Sequence, residues 1–183
     1  MPRRGIELRA GRFFHMCNRG VDRRPIFYET ENYLYFIRLL RTKAEKHRIE
    51  ILAFCLMSNH FHLLARSGQD EGLGRYISGV CGSYAQALNA RRSRSGALFQ
   101  GRYRAVPVDR DEYLAHLSRY IHLNPVEAGL VARPGDWPYS NYAHVSMDGV
   151  LIGGIFGNPA SYRHFVESPQ VLELPGSLKL PGS

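Results

Sequence analysis

The chain is predicted to fold as an α+β protein of ferredoxin-like type: a βαββαβ succession forming one antiparallel sheet with helices on its faces, then a further helix and a tail. Three observations predict this. Short apolar runs alternate with segments whose apolar residues recur every three or four positions. Two of those runs are separated by nothing more than Met57-Ser58-Asn59, a hairpin-sized turn. The length, 183 residues, fits one domain with a peripheral extension.

Phe13 to Asn18 forms the first strand, followed by a turn that runs from Asn18 to Pro25 and carries Arg19, Gly20, Arg23 and Arg24. Thr30 is a plausible N-cap for a helix to about Lys46, with Tyr33, Phe36, Ile37 and Leu40 along one side. Glu50 to Leu56 and His60 to Ala65 supply the hairpin. The second helix covers about Leu73 to Asn89, its inner side marked by Tyr76, Ile77, Val80, Tyr84 and Leu88. A loop rich in arginine, Arg91-Arg92-Ser93-Arg94, ends it, and Tyr103 to Val108 forms the fourth strand. Asp109 with Glu112 resembles a capping box that opens a last helix, expected to stop before Pro125 because the residue preceding proline disfavours the helical region. Residues 1–145 form the domain. The extension, 146–183, becomes rich in glycine and proline and is expected to be partly loose.

Composition narrows the function. No apolar run approaches the roughly 20 residues that span a bilayer, and the N-terminus lacks an apolar stretch behind its arginines, so neither a membrane protein nor a secreted one is expected. Cys17, Cys55 and Cys81 are odd in number and sit among apolar neighbours, as reduced thiols of a cytoplasmic protein would. Net charge is +8, and 21 of the 24 cationic residues are arginine, whose planar fork suits phosphate. Nucleic acid is the partner this balance favours.

The chemistry concentrates at His60-Phe61-His62. Side chains alternate along a strand, so the two imidazoles project together while Phe61 points away. Burial and mutual repulsion keep such a pair neutral, the form that ligates a cation. On the last helix Tyr113, Leu117, Tyr120 and Asn124 are spaced by four, three and four and share one side. Two imidazole nitrogens and the Asn124 amide oxygen would make a three-ligand site with room for phosphate oxygens. That mixed set suits Mg²⁺ or Mn²⁺.

These residues carry a resemblance. His60-Phe61-His62 resembles the HUH motif of single-tyrosine transposases and their replication-initiator and relaxase relatives. Arg119 to Leu130, reading RYIHLNPVEAGL, is similar to the tyrosine helix of the REP-associated branch of the IS200-like transposases. Asn18-Arg19-Gly20 and Phe99-Gln100-Gly101-Arg102-Tyr103 also look like that branch. The resemblance covers about Gly11 to Tyr142. It implies an HUH domain, a 5′-phosphotyrosine intermediate, and recognition of single-stranded DNA that folds into repetitive extragenic palindrome (REP) hairpins. By position it makes Tyr120 the nucleophile and His60, His62 and Asn124 the metal ligands, with Asn124 standing where the wider group often has glutamine.

Around that site, Asn18, Arg19, Gly20, Arg23, Arg24, Arg102 and Arg104 are candidates to line the phosphate path, and Arg91, Arg92 and Arg94 to grip a hairpin stem. Tyr28, Tyr103 and Trp137 are candidates to stack on unpaired bases. A monomer is favoured over a homodimer. Two other readings stay open at this point: a non-catalytic ferredoxin-like regulator that only binds nucleic acid, and an HUH replication initiator or relaxase.

Overall fold

The computed structural model describes residues 7–108, 111–145 and 150–169. Strands β1 (Phe13–Arg19), β2 (Ile49–Met57), β3 (His60–Ser67) and β4 (Arg104–Val108) form one sheet in the order β2-β3-β1-β4, every neighbouring pair antiparallel. Helix α1 (Thr30–His47) joins β1 to β2, and α2 (Gly72–Arg91) joins β3 to β4. This is the ferredoxin-like α+β arrangement expected.

Alternation along the strands sorts their side chains onto two faces. Phe14, Met16, Phe54, Leu56, Phe61 and Leu63 meet α1 and α2 in the main core, where Phe36, Leu40, Tyr76, Ile77 and Tyr84 complete the packing. The opposite face holds Cys55, Met57 and Leu64 and is covered by α3 (Asp111–Glu127) through Leu114, Leu117 and Ile121. Cys17, Cys55 and Cys81 are buried free thiols. Among the described residues no helix is long and apolar enough to cross a membrane.

Several boundaries differ from expectation for identifiable reasons. Thr30 is the first residue of α1, with Glu29 in the cap position, because the Asn32 carboxamide accepts from the Tyr28 N–H at 3.0 Å and holds the entry turn. Helix α3 does not stop before Pro125; it continues to Glu127. A proline there removes only one hydrogen bond near the end of the helix. The helix closes instead at Gly129, φ +68°, where Gly129 N–H donates to Val126 O (2.9 Å) and Leu130 N–H to Pro125 O (2.9 Å). That pair of bonds is a Schellman motif, and the positive φ is what glycine supplies cheaply. The expected Asp109–Glu112 start lies outside the described residues at Asp109.

The described part of the extension packs on α3. A π-helical stretch (Val150–Phe156) leads to α4 (Pro159–Glu167), capped by Asn158, whose side chain accepts from Ser161 N–H. Arg119, only 4% exposed, donates from Nε to Val166 O (3.0 Å) and from Nη2 to Ser168 O (2.5 Å) at the end of α4. His122 is tied on both sides. The Asn141 oxygen can only accept, so His122 carries its proton on Nε2 (3.0 Å) and takes the Tyr162 hydroxyl at Nδ1 (2.6 Å). Asn141 also bonds Phe54 N–H and Leu52 O of β2, so these links run from the sheet through α3 to α4. Replacing Arg119 with alanine strands two carbonyls and empties the space the side chain filled. A loss of about 2–4 kcal/mol is expected, measured by urea unfolding, with Arg119→Lys losing less.

Candidate active site

The register fixes what lies together. Antiparallel pairing sets His60 opposite Arg19 on one side and Met57 on the other, and His62 opposite Cys17 and Cys55. Residues directly opposite one another share a face, so both imidazoles lie on the face that α3 covers. Their ring centroids are 5.0 Å apart and the planes nearly perpendicular.

Helix α3 brings Tyr120 and Asn124 to the same point. The Tyr120 ring stands edge-on to His62 with centroids 5.5 Å apart, half-buried rather than sealed in the interior. Asn124 is buried, donates from Nδ2 to the Tyr120 carbonyl (2.9 Å), and sets its carboxamide close enough to His60 and to the Tyr120 hydroxyl to act on the ionisation of both. His60, His62, Tyr120 and Asn124 therefore converge within one chain.

Electrostatics prepare the imidazoles to ligate. Burial lowers the pKa of His60, partly offset by Asn124 and reinforced by Arg19. Burial, with His15 and His60 adding to it, takes His62 well below the ordinary histidine value. Both rings are neutral near pH 7. The His60 proton is also placed: Asn59 donates from Nδ2 to Arg23 O (3.1 Å), which turns its oxygen to His60 Nδ1 at 2.7 Å. An oxygen accepts only, so the proton sits on Nδ1 and the Nε2 lone pair is free to coordinate. His62 Nε2 is buried and lacks a hydrogen-bond partner. A buried polar atom left in this way is costly unless something else occupies its lone pair, and a cation fits. Two neutral imidazole nitrogens and a carboxamide suit a divalent ion.

A second cluster lies behind the pair. His15, Cys17 and His62 bring their ligand atoms within 4.8 Å of one another, all three buried. His15 Nε2 and His62 Nδ1 already share a hydrogen bond at 3.0 Å, and burial pushes the Cys17 thiol up to about 11, so it stays protonated. The trio backs the His62 ring rather than forming a ligand set of its own. For Tyr120, burial raises the pKa above the ordinary phenol value, while the Asn124 hydrogen bond pulls it down.

The remaining predicted residues cluster around the end of the sheet where β1 finishes and β3 begins. Beside His60 a cavity of about 200 Å³ is lined by Asn18, Arg19, Gln100, Gly101, Arg102 and Arg104. Arg19 donates to Gln100 Oε1 (2.5 Å), and Asn18 donates to Gly101 O (3.1 Å). Gly20 is buried, and a Cβ there would collide with the Arg24 carbonyl, so the turn itself requires glycine. Arg23 and Arg24 are exposed on that turn. Arg91 pairs with Glu29 (3.1 Å), Arg92 lies over the Tyr28 ring (4.0 Å), and Arg94 is half-buried on the following loop.

Of the three aromatics that are candidates to stack on bases, Tyr28 alone is exposed, at 40%, with Arg92 over one face of its ring. Tyr103 is 6% exposed in the main core, and Trp137 is half-buried with its indole N–H donated to Leu56 O (3.1 Å). Both are packing residues. Conversely, His15, Asn59 and Gln100 went unassigned in the sequence. His15 has the right strand phase, two residues before Cys17, yet its meeting with His62 depends on the β1–β3 offset, which no local pattern discloses.

Buried neutral histidines also set the acid limit of the fold. Burial holds both His15 and His122 down at about 4, against an ordinary value of about 6.5. The unfolded chain therefore binds more protons than the folded one between those values. Stability should be full above about pH 6.5 and fall as pH drops toward 4, at about 1.4 kcal/mol per pH unit for each group. Urea melts across this window check it; a flat profile would contradict the assignment.

Comparison with known proteins assigns the family and the fold. Residues 13–124, more than half of the chain, match the family described as Transposase IS200 like. A Haemophilus influenzae protein assigned as a REP-associated tyrosine transposase is 26% identical over 125 residues, covering 63% of this chain and 71% of its own. The solved structure of a REP-associated tyrosine transposase bound to a REP hairpin superposes with a TM-score of 0.65 at 20% identity, covering 78% of this chain and 83% of that one. At that identity the superposition speaks for the fold. The family match places this chain among the IS200-like transposases, a family of enzymes.

Proposed function

We propose that the protein is a metal-dependent endonuclease and strand transferase of the REP-associated branch, acting on single-stranded DNA beside a REP-like hairpin through a 5′-phosphotyrosine intermediate. The observation that carries this is the convergence of His60, His62, Asn124 and Tyr120 in one chain. The sequence likeness to the Haemophilus influenzae protein supports the branch, and the neighbouring structure was solved with a REP hairpin bound.

In the proposed reaction the Tyr120 hydroxyl oxygen attacks phosphorus and the P–O3′ bond breaks. The phenolic proton passes to water, and the departing oxygen is protonated to leave a 3′-hydroxyl. Attack of another strand's 3′-hydroxyl on the phosphotyrosine then restores a phosphodiester and frees Tyr120, with no input of ATP. Mg²⁺ or Mn²⁺ held by His60, His62 and Asn124 would stabilise charge on the non-bridging phosphate oxygens. Asn124 has two tasks, since its carboxamide also steadies the phenol against the burial that opposes its ionisation. Arg19, Arg102 and Arg104 would receive the strand in the cavity beside His60, while Arg23, Arg24, Arg91, Arg92 and Arg94 would meet the hairpin.

Two features favour a monomer. The outer side of α3 is already occupied by α4 of the same chain. Edge strand β4 contains Pro107, which has no N–H to offer a second chain's strand. The cytoplasm, which keeps thiols such as Cys17, Cys55 and Cys81 reduced, is the proposed compartment.

Incubation with a labelled hairpin and Mn²⁺, followed by denaturing electrophoresis, tests the reading. Wild type should form a denaturant-resistant adduct, and Tyr120→Phe should form none while binding the hairpin within a few-fold of wild type. A Tyr120→Phe protein that still cleaves would refute the nucleophile. His60→Ala should lower cleavage by at least about 100-fold, and wild-type cutting that persists in excess chelator would refute the metal. Hairpin binding without any cleavage or adduct would favour the regulator reading instead. Affinity should also fall steeply with salt, as several phosphates are neutralised.

A further inference from the structure

His15 belongs to none of the roles assigned above, yet among the described residues it makes the one side-chain hydrogen bond to His62. It lies on β1 opposite Leu64, diagonal to His62 across the β1–β3 ladder. The rings are stacked at 17°, with centroids 5.2 Å apart and His15 Nε2 3.0 Å from His62 Nδ1; both side chains are buried.

Two neutral imidazoles joined by one hydrogen bond can be arranged in two ways. If His15 donates, the His62 proton must sit on Nε2, the buried atom that has no partner. That atom would then be an unsatisfied donor aimed at the site, and a cation would be repelled. If His62 donates from Nδ1, its Nε2 carries a lone pair, and only this arrangement can coordinate. His60 shows the same logic already settled, since the Asn59 oxygen can only accept from its Nδ1. Each imidazole thus meets a neighbouring side chain at Nδ1 and leaves Nε2 toward the site.

We propose that His15 is the positioning residue for His62: its Nε2 accepts the His62 Nδ1 proton, locks the ring, and presents the His62 Nε2 lone pair to the catalytic cation. This rests on the metal-dependent reading above. It makes His15 a determinant of metal affinity although it touches neither metal nor DNA. Cys17, the other neighbour in the cluster, is protonated and a weak partner, and does not replace it.

The test combines long-range ¹H–¹⁵N correlation spectra of histidine-labelled protein, which report each ring's tautomer, with Mn²⁺ titration followed by electron paramagnetic resonance without DNA. In wild type, His62 should be protonated at Nδ1. His15→Leu, which keeps bulk but cannot accept, should lose that preference and bind Mn²⁺ roughly 10- to 100-fold more weakly. His15→Gln, whose side-chain oxygen can accept near the Nε2 position, should stay within a few-fold of wild type. Hairpin binding in chelator should be equal in all three.

A wild-type His62 protonated at Nε2, or a folded His15→Leu protein with wild-type Mn²⁺ affinity, overturns the proposal. Should His15→Leu fail to fold, the wild-type tautomer and the His15→Gln titration still decide it. If wild type itself binds no Mn²⁺, the metal-dependent reading fails, and the tautomer alone shows whether His15 orients His62.

Discussion

The site depends on keeping two imidazoles neutral and turning their free nitrogens to one point inside a sheet that offers little water. Burial enforces neutrality, because a charged ring would be poorly solvated there. Direction comes from hydrogen bonding at the opposite nitrogen, where the Asn59 oxygen accepts from His60 and, in the arrangement proposed, His15 accepts from His62. Both partners stand in place through the register of the sheet: the β2–β3 turn carries Asn59, and the β1–β3 offset carries His15. A slip of one residue in either strand would turn the imidazoles to the other face, into the apolar layer under α1 and α2.

Tyr120, the proposed nucleophile, is held by a different kind of contact. Toward the sheet α3 presents mainly apolar residues, and such contacts alone tolerate small rotations. On its outer side the contacts are polar and directional: Arg119 to the last carbonyls of α4, and His122 between Asn141 and Tyr162. Hydrogen bonds of this sort fix how the helix is rotated about its axis, which decides whether Tyr120 and Asn124 face the imidazoles. The extension therefore belongs to the site in a physical sense, although it contributes no residue to the reacting set.

Much of the fold could be read from local pattern. Period-two and period-3.6 apolar repeats located all four strands and α1 to α3, and the Met57-Ser58-Asn59 turn forced an antiparallel hairpin. The errors arose where a tertiary or longer-range signal outweighs a local one. Pro125 argued for a helix end, but Gly129 with Leu130 forms the actual stop four residues on. Tyr103 and Trp137 are stacking candidates or packing residues on sequence alone, because an aromatic side chain does not reveal which way it faces; the fold makes both packing residues. The meeting of His60, His62, Tyr120 and Asn124 was legible because strand alternation and helical spacing put each pair on one face, while their proposed roles rest on the resemblance. His15 was not, since its meaning lies in the pairing of two strands about forty residues apart.

The charges around the site explain why metal and DNA would suit one another there. Arg19 acts on His60 and Arg104 on His15, each making the protonated ring less favourable. The same positive field that repels a proton also repels a divalent cation, so the arginines keep the imidazoles ready while weakening their hold on an ion alone. In the proposed reaction a phosphate in the cavity beside His60 would offset that field. Ion and substrate would then be coupled by Coulomb's law, each raising the affinity for the other by the same factor. A proposed set of ligands with no carboxylate, closely flanked by arginine, would suit a site completed by the phosphate of its substrate.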